Sequence, residues 1–127
     1  MEKVKAFIVD DELHSRELLS YFLMLEREFE VIGYYADALK VLDDVCKYKP
    51  DVVFTDVSMP VMNGIELAEQ VKAKCPGVDI VFISAYADYE ERASKIEHSG
   101  FLLKPIELNE LKLCKMRVKS NVERKII

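Results

Sequence analysis

The chain has 127 residues, is 50% hydrophobic and 32% charged, and carries a net charge of −5. That composition describes one soluble domain with a single core. It excludes a membrane span, which needs roughly 18 consecutive apolar residues, and a signal peptide, since Met1-Glu2-Lys3-Val4-Lys5 leads into only a short apolar run. The acidic balance argues against direct nucleic acid binding, and the widely spaced Cys46, Cys75 and Cys114 read as reduced thiols of a cytoplasmic protein rather than zinc ligands.

Val4 to Val9 is an apolar run that predicts a central strand, ending abruptly at Asp10-Asp11-Glu12. Apolar residues recur at Leu13, Leu18, Leu19, Phe22, Leu23 and Leu25, a spacing that predicts a helix from about Leu13 to Glu28. Phe29 to Tyr34 predicts a second strand. Tyr35 to Lys47 predicts a second helix, with Ala38, Leu39, Val41, Leu42, Val45 and Cys46 on its inner face. After the break at Lys49-Pro50, Asp51 to Asp56 is a β-branched run suited to a strand buried on both faces. The turn signals Met59-Pro60 and Asn63-Gly64 precede a helix from Gly64 to Lys74, with Ile65, Leu67, Ala68 and Val71 inward. Pro76-Gly77 stops that helix, and Val78 to Ser84 is a fourth strand. The stretch Tyr89 to His98 is a polar helix with only Ala93 and Ile96 inward. Phe101 to Leu103 is a short fifth strand, and a last helix runs from Glu107 to about Asn121. From Lys112 onward basic residues dominate, which reads as a solvated helix face. Alternating strands and helices at this spacing make an α/β domain, with a parallel sheet covered on both faces.

Ligands of such sheets bind beyond the carboxyl ends of the strands. There the first strand delivers Asp10 and Asp11, the third Asp56, the fourth Ser84 and the fifth Lys104. Each has a plain reading alone: an acid pair as a helix cap, a loop hydroxyl, a solvated lysine. Their joint arrival at one edge favours a site. Two carboxylates about 4 Å apart repel by roughly 4 kcal/mol at an effective dielectric near 20. Either a proton stays or a cation enters, and hard oxygen ligands with open water positions suit Mg²⁺. Acids, metal, lysine and hydroxyl together make a phosphoryl-transfer site whose nucleophile is a carboxylate.

The motifs Val9-Asp10-Asp11-Glu12, Asp56-Val57-Ser58-Met59-Pro60-Val61-Met62-Asn63-Gly64, Ser84-Ala85 and Phe101-Leu102-Leu103-Lys104-Pro105 resemble those of the receiver domain of two-component response regulators, over about residues 3 to 120. The resemblance implies a flavodoxin-like (βα)5 three-layer sandwich with a five-stranded parallel sheet of order 2-1-3-4-5. It places the receiver at residues 1–121, with 122–127 a tail or the start of a linker. It implies that Asp56 accepts a phosphoryl group from a sensor histidine kinase. Asp11, Asp56 and the Ser58 carbonyl would hold Mg²⁺, with Asp10 assisting. Lys104 would neutralise the phosphoryl oxygens, Ser84 would swing in to bond them, and Phe101 would rotate inward behind it. Ser58 and Tyr86 would tune the lifetime of the phosphoryl group, and Lys104-Pro105 is a bond that is cis in many members. Further implied partners are an output domain or downstream protein and a second copy through the face of the fourth helix, fifth strand and fifth helix. Ser84 stands where Thr is commoner, Phe101 where Tyr is frequent, and the short Ser84-to-Lys104 interval implies an abbreviated fourth helix.

Two other readings compete. A Mg²⁺-dependent phosphohydrolase with an aspartyl nucleophile would want a second acid two residues after it, and that position is Ser58. A receiver-like interaction domain that never takes phosphate would not need the full set of site groups. The expected module is no conventional enzyme. It catalyses its own phosphorylation and slow dephosphorylation.

Overall fold

The β-branched and aromatic runs form the strands, and the stretches between them wind into helices. The computed structural model describes residues 3–126. Its elements are β1 (Val4–Val9), α1 (Leu13–Met24), β2 (Phe29–Tyr35), α2 (Ala38–Tyr48), β3 (Val52–Asp56), α3 (Gly64–Lys74), β4 (Asp79–Ser84), a 3-10 turn (Ala87–Tyr89), α4 (Glu90–Ala93), β5 (Gly100–Leu103) and α5 (Leu108–Ile126). The strands pair in parallel in the order β2-β1-β3-β4-β5, as expected of a flavodoxin-like α/β sandwich.

Position in the sheet explains each strand's sequence. β3 and β4 are central and buried along their whole length, so they read as unbroken runs. β2 lies at an edge, alternates buried with open positions, and carries a bulge opposite Ala6 and Phe7. One sheet face packs Phe7, Val53, Ile80 and Phe82 against α2 and α3, with Ala93 of α4. The other packs Ile8, Phe54, Val81 and Leu102 against Leu19 and Leu23 of α1 and Leu111, Cys114 and Val118 of α5.

Several boundaries differ from the sequence expectation, each for a local reason. α1 stops at Met24 rather than Glu28. The carbonyls of Glu26 and Glu28 are taken by the N–H groups of Phe29 and Val4, which turns the chain back to lay β2 beside β1. α2 begins at Ala38 rather than Tyr35, because Tyr35 completes β2 and the Asp37 carboxylate caps the helix by accepting from the Lys40 N–H. Leu39 and Cys46, expected inward, face solvent. The predicted Tyr89–His98 helix is reduced to α4 and the 3-10 turn before it, with Ala93 inward as expected.

α5 continues past the expected end at Asn121 to Ile126. Its last turns are tied to the foot of the sheet. Asn121 Nδ2 donates to Asp79 Oδ2 at 3.1 Å and to Ser99 Oγ at 2.8 Å, Arg117 Nε donates to the Ser99 carbonyl at 2.6 Å, and Lys125 Nζ reaches the Gly77 carbonyl. No helix among the described residues is long and apolar enough to cross a membrane.

Candidate functional site

Asp56 ends β3, Ser84 ends β4, Asp10 follows β1 and Lys104 follows β5, so one edge of the sheet collects all four. Carboxylate oxygens of Asp10, Asp11 and Asp56 lie within 4.8 Å of one another. Asp10 and Asp56 are each only 5% exposed, while Asp11 is open to solvent. Lys104 Nζ stands 3.1 Å from Asp10 Oδ2 and 3.5 Å from Asp56 Oδ1, bridging both acids. The peptide bond from Lys104 to Pro105 is cis.

The acid pair is not a helix cap. The N-cap of α1 is Glu12, which makes no side-chain cap bond. Asp10 Oδ1 instead accepts from the Glu12 N–H at 2.9 Å, and Arg16 donates to the Asp10 carbonyl at 2.7 Å. Those bonds fix the β1–α1 turn and leave the second oxygen of Asp10 facing Lys104.

Electrostatics follow from this crowding. Burial is the main force raising the Asp56 carboxyl, with the Asp10 charge next and Asp11 adding a little. Lys104 opposes them, and the net result is a pKa pushed up to about 6. Burial works against the charge on Lys104, but its bonds to Asp10 and Asp56 outweigh that and hold its ammonium above its ordinary value. The excess of negative charge over the single lysine, together with the close set of hard oxygen donors, fits a divalent cation.

The segment after β3 is held by its backbone. The Val57 N–H donates to the Ile83 carbonyl and the Gly64 N–H to the Val57 carbonyl, both at 2.9 Å. A Cβ at Gly64 would lie 2.2 Å from the Asp56 carbonyl oxygen, so only glycine permits this approach. Asn63 and Glu66 then start α3 with a capping box. Just before this cap, Val61 takes φ 72° while the Met62 N–H reaches back to the Pro60 carbonyl at 2.8 Å, a γ-turn of positive φ. The Val61 side chain is 90% exposed, and Ser58 is exposed nearby.

Ser84 is buried, and its hydroxyl is engaged within its own loop. Oγ donates to the Tyr86 carbonyl at 3.0 Å and accepts from the Tyr86 N–H at 2.9 Å. The Tyr86 side chain is exposed. Phe101 is half-buried, its ring 6.4 Å from that of Phe82. The structure therefore brings Asp10, Asp11, Asp56 and Lys104 together directly; Ser84 ends β4 on the same edge, and Phe101 lies deeper in β5, paired with Phe82. Sequence reading missed the approach of Gly64 to the acceptor strand, for which Asn63-Gly64 was the available signal. It also missed the clasp of Ser84 on Tyr86 and the brace from Arg16, for which no sequence signal stands out.

Residues 6–114 match the family model described as the response regulator receiver domain. The chain is 35% identical to the sensory transduction protein LytT of Bacillus anthracis, over 96% of this chain and 51% of that protein. It thus spans about half the length of the curated relatives it matches. Among solved structures, the REC domain of AraT, a response regulator from Geobacillus stearothermophilus, superposes with a TM-score of 0.88 at 28% identity, over 97% of this chain and 98% of that one. The response regulatory domain of MrkE from Klebsiella pneumoniae gives a TM-score of 0.85 at 26% identity, over 94% and 98% of the two chains.

Proposed function

The chain belongs to the response regulator receiver domain family, and from that premise we propose that Asp56 is its phosphoryl acceptor, charged by the phosphohistidine of a sensor histidine kinase. The observation that carries this reading is the bridge from Lys104 to Asp10 and Asp56 beside Asp11, a pocket that concentrates negative charge around a single reactive carboxylate. Asp56 attacks as the carboxylate: its oxygen bonds to phosphorus as the bond from phosphorus to the kinase's imidazole nitrogen breaks. Its raised pKa makes the ionised fraction fall below about pH 6. Asp11, Asp56 and the Ser58 carbonyl, with Asp10 assisting, are the ligands proposed for Mg²⁺, which would neutralise phosphoryl oxygens and orient them for in-line attack. Lys104 turns from the carboxylates to a phosphoryl oxygen. Ser84 leaves Tyr86 to donate to the phosphoryl group, and Phe101 moves inward. Such contacts exist only with the phosphoryl group present, so they favour one conformer of a two-state domain. Ser58 and Tyr86 border the access to the acyl phosphate and set its lifetime.

In this reading the receiver takes in the whole of α5 (Leu108–Ile126), rather than ending at residue 121. It is a cytoplasmic switch that phosphorylates and slowly dephosphorylates itself and is no conventional enzyme. It passes its state to an output domain or downstream protein. The α4–β5–α5 face, with Leu103, Leu113 and Met116 exposed, is the surface proposed for a homodimer. The test is incubation with Mg²⁺ and acetyl phosphate, followed by intact-mass spectrometry. The expected gain is one phosphoryl group in the wild type and none in Asp56→Asn. Equal uptake by the variant would remove Asp56 from its role.

A further inference from the structure

Beside the phosphoryl site lies a pocket of about 330 Å³ whose walls the transfer itself does not use. Those walls are apolar: Leu18 and Leu19 of α1, Ile83 of β4, and Pro105 and Ile106 after β5. Leu19 and Ile83 are buried and close its inner side, while Leu18, 51% exposed, stands at its rim. Its polar groups are the Ser15 hydroxyl, Asp10 and Lys104. The last two also belong to the phosphoryl site, where Lys104 Nζ stands 3.1 Å from Asp10 Oδ2 and 3.5 Å from Asp56 Oδ1. One lysine thus touches the acceptor and lines the pocket. Small-molecule pockets start at about 300 Å³, so this one suits a ligand of few atoms. Such a ligand is polar where it meets Lys104 and apolar beyond it. Its head group is an anion once a divalent cation is in place, because the three carboxylate charges of Asp10, Asp11 and Asp56 are then offset by Lys104 and the cation's two charges.

We propose that this pocket is a subsite for the aliphatic chain of small acyl phosphates, so that the domain takes phosphoryl groups from longer-chain donors in preference to acetyl phosphate. The proposal rests on the reading of Asp56 as the acceptor. The phosphoryl group sits at Asp56 and Lys104, and the chain lies between α1 and the segment after β5. The Asp56 carboxylate oxygen bonds to phosphorus, the bond from phosphorus to the acyl oxygen breaks, and the acid leaves as its carboxylate with that electron pair. No proton moves. The chain is buried before and during the transfer alike, so it tightens donor binding and leaves the limiting rate unchanged. Each methylene taken out of water is worth about fourfold in binding. Butyryl phosphate is longer than acetyl phosphate by two methylenes, and the expected preference is up to about 15-fold. Leu18 and Ile106 are the specificity-determining residues, since they meet the chain and not the phosphoryl group.

The test measures the rate of phosphoryl uptake against donor concentration, with Mg²⁺ present, for acetyl phosphate and butyryl phosphate. Butyryl phosphate should half-saturate the wild type at a concentration lower by about 5–15-fold, with a similar limiting rate. Leu18→Gln and Ile106→Gln each set a polar group in the apolar wall. Both should keep uptake from acetyl phosphate and shrink the preference to about threefold or less. A second readout needs no transfer: n-butylphosphonate with Mg²⁺ should shift the methyl NMR signals of Leu19 and Ile106, which methylphosphonate should leave in place. Equal half-saturation for the two donors, a preference that survives both variants, or unmoved methyl signals would overturn this proposal alone. No uptake from either donor would overturn the acceptor reading, and this proposal with it.

Discussion

Replacing Asp56 with asparagine should stabilise the metal-free protein at neutral pH, although it removes the proposed acceptor. The folded-state pKa of Asp56 is about 6, against an ordinary value of 3.8, because burial and the Asp10 charge outweigh Lys104. Each pKa unit corresponds to about 1.4 kcal/mol, so ionising Asp56 in the fold costs up to about 3 kcal/mol. The variant gives up the 3.5 Å contact between Lys104 and Asp56, and a net gain of about 1–3 kcal/mol remains. The sign follows from linkage. A raised carboxyl pKa means the fold binds the proton more tightly than the unfolded chain. Stability from protonated Asp56 is then complete below about pH 4 and lost as pH climbs through about 6. Urea unfolding in a chelator should show nearly equal midpoints for the two proteins at about pH 4.5 and the variant ahead at about pH 8. Millimolar Mg²⁺ should narrow or reverse the gap by stabilising the wild type through binding. A variant no more stable than wild type at the higher pH, or a difference that does not change with pH, would refute the reasoning.

Lys104→Met removes the charge that opposes the rise of Asp56. The acid limb of phosphoryl uptake against pH should move upward, and metal-free stability should fall by about 1–3 kcal/mol, less than a fully buried pair would lose. Gly64→Ala forces a methyl to within 2.2 Å of the Asp56 carbonyl. Denaturation should show a loss of about 1–3 kcal/mol or more, with phosphoryl uptake slowed by displacement of the acceptor. Val61→Gly relieves a β-branched residue held at φ 72° and loses no packing at a 90% exposed position. It should raise stability by about 1 kcal/mol in urea titrations. Asn63→Ala removes one half of the capping box at α3 and should cost about 1 kcal/mol.

Much of the fold was legible because burial imposes itself on sequence. β3 and β4 are enclosed on both faces and read as uninterrupted apolar runs. The third helix was legible from residue to residue because Asn63-Gly64 opens it and Pro76-Gly77 follows it. Where tertiary contacts override periodicity, the reading slipped. Leu25 to Glu28 continues a helical pattern, but pairing between Val4 and Glu28 pulls it into a turn. Residues beyond Asn121 look like a solvated basic tail, but Asn121 and Lys125 anchor them to the sheet as helix. The site was legible as residue types at strand ends. Its geometry was not: nothing in the local sequence shows Lys104 choosing both Asp10 and Asp56, or Arg16 bracing the turn from six residues away.

The clasp of Ser84 on Tyr86 sets a threshold. Two hydrogen bonds between the Ser84 hydroxyl and the Tyr86 backbone, each worth about 0.5–1.5 kcal/mol net, must be surrendered before that hydroxyl can turn elsewhere. One new bond to a charged oxygen returns about 1.5–3 kcal/mol. The ledger nearly balances, well short of the roughly 5.5 kcal/mol that carries an equilibrium from 1:99 to 99:1. If Ser84 is the switch proposed above, a domain latched this way would respond by degree, with whatever docks on it supplying the remaining bias.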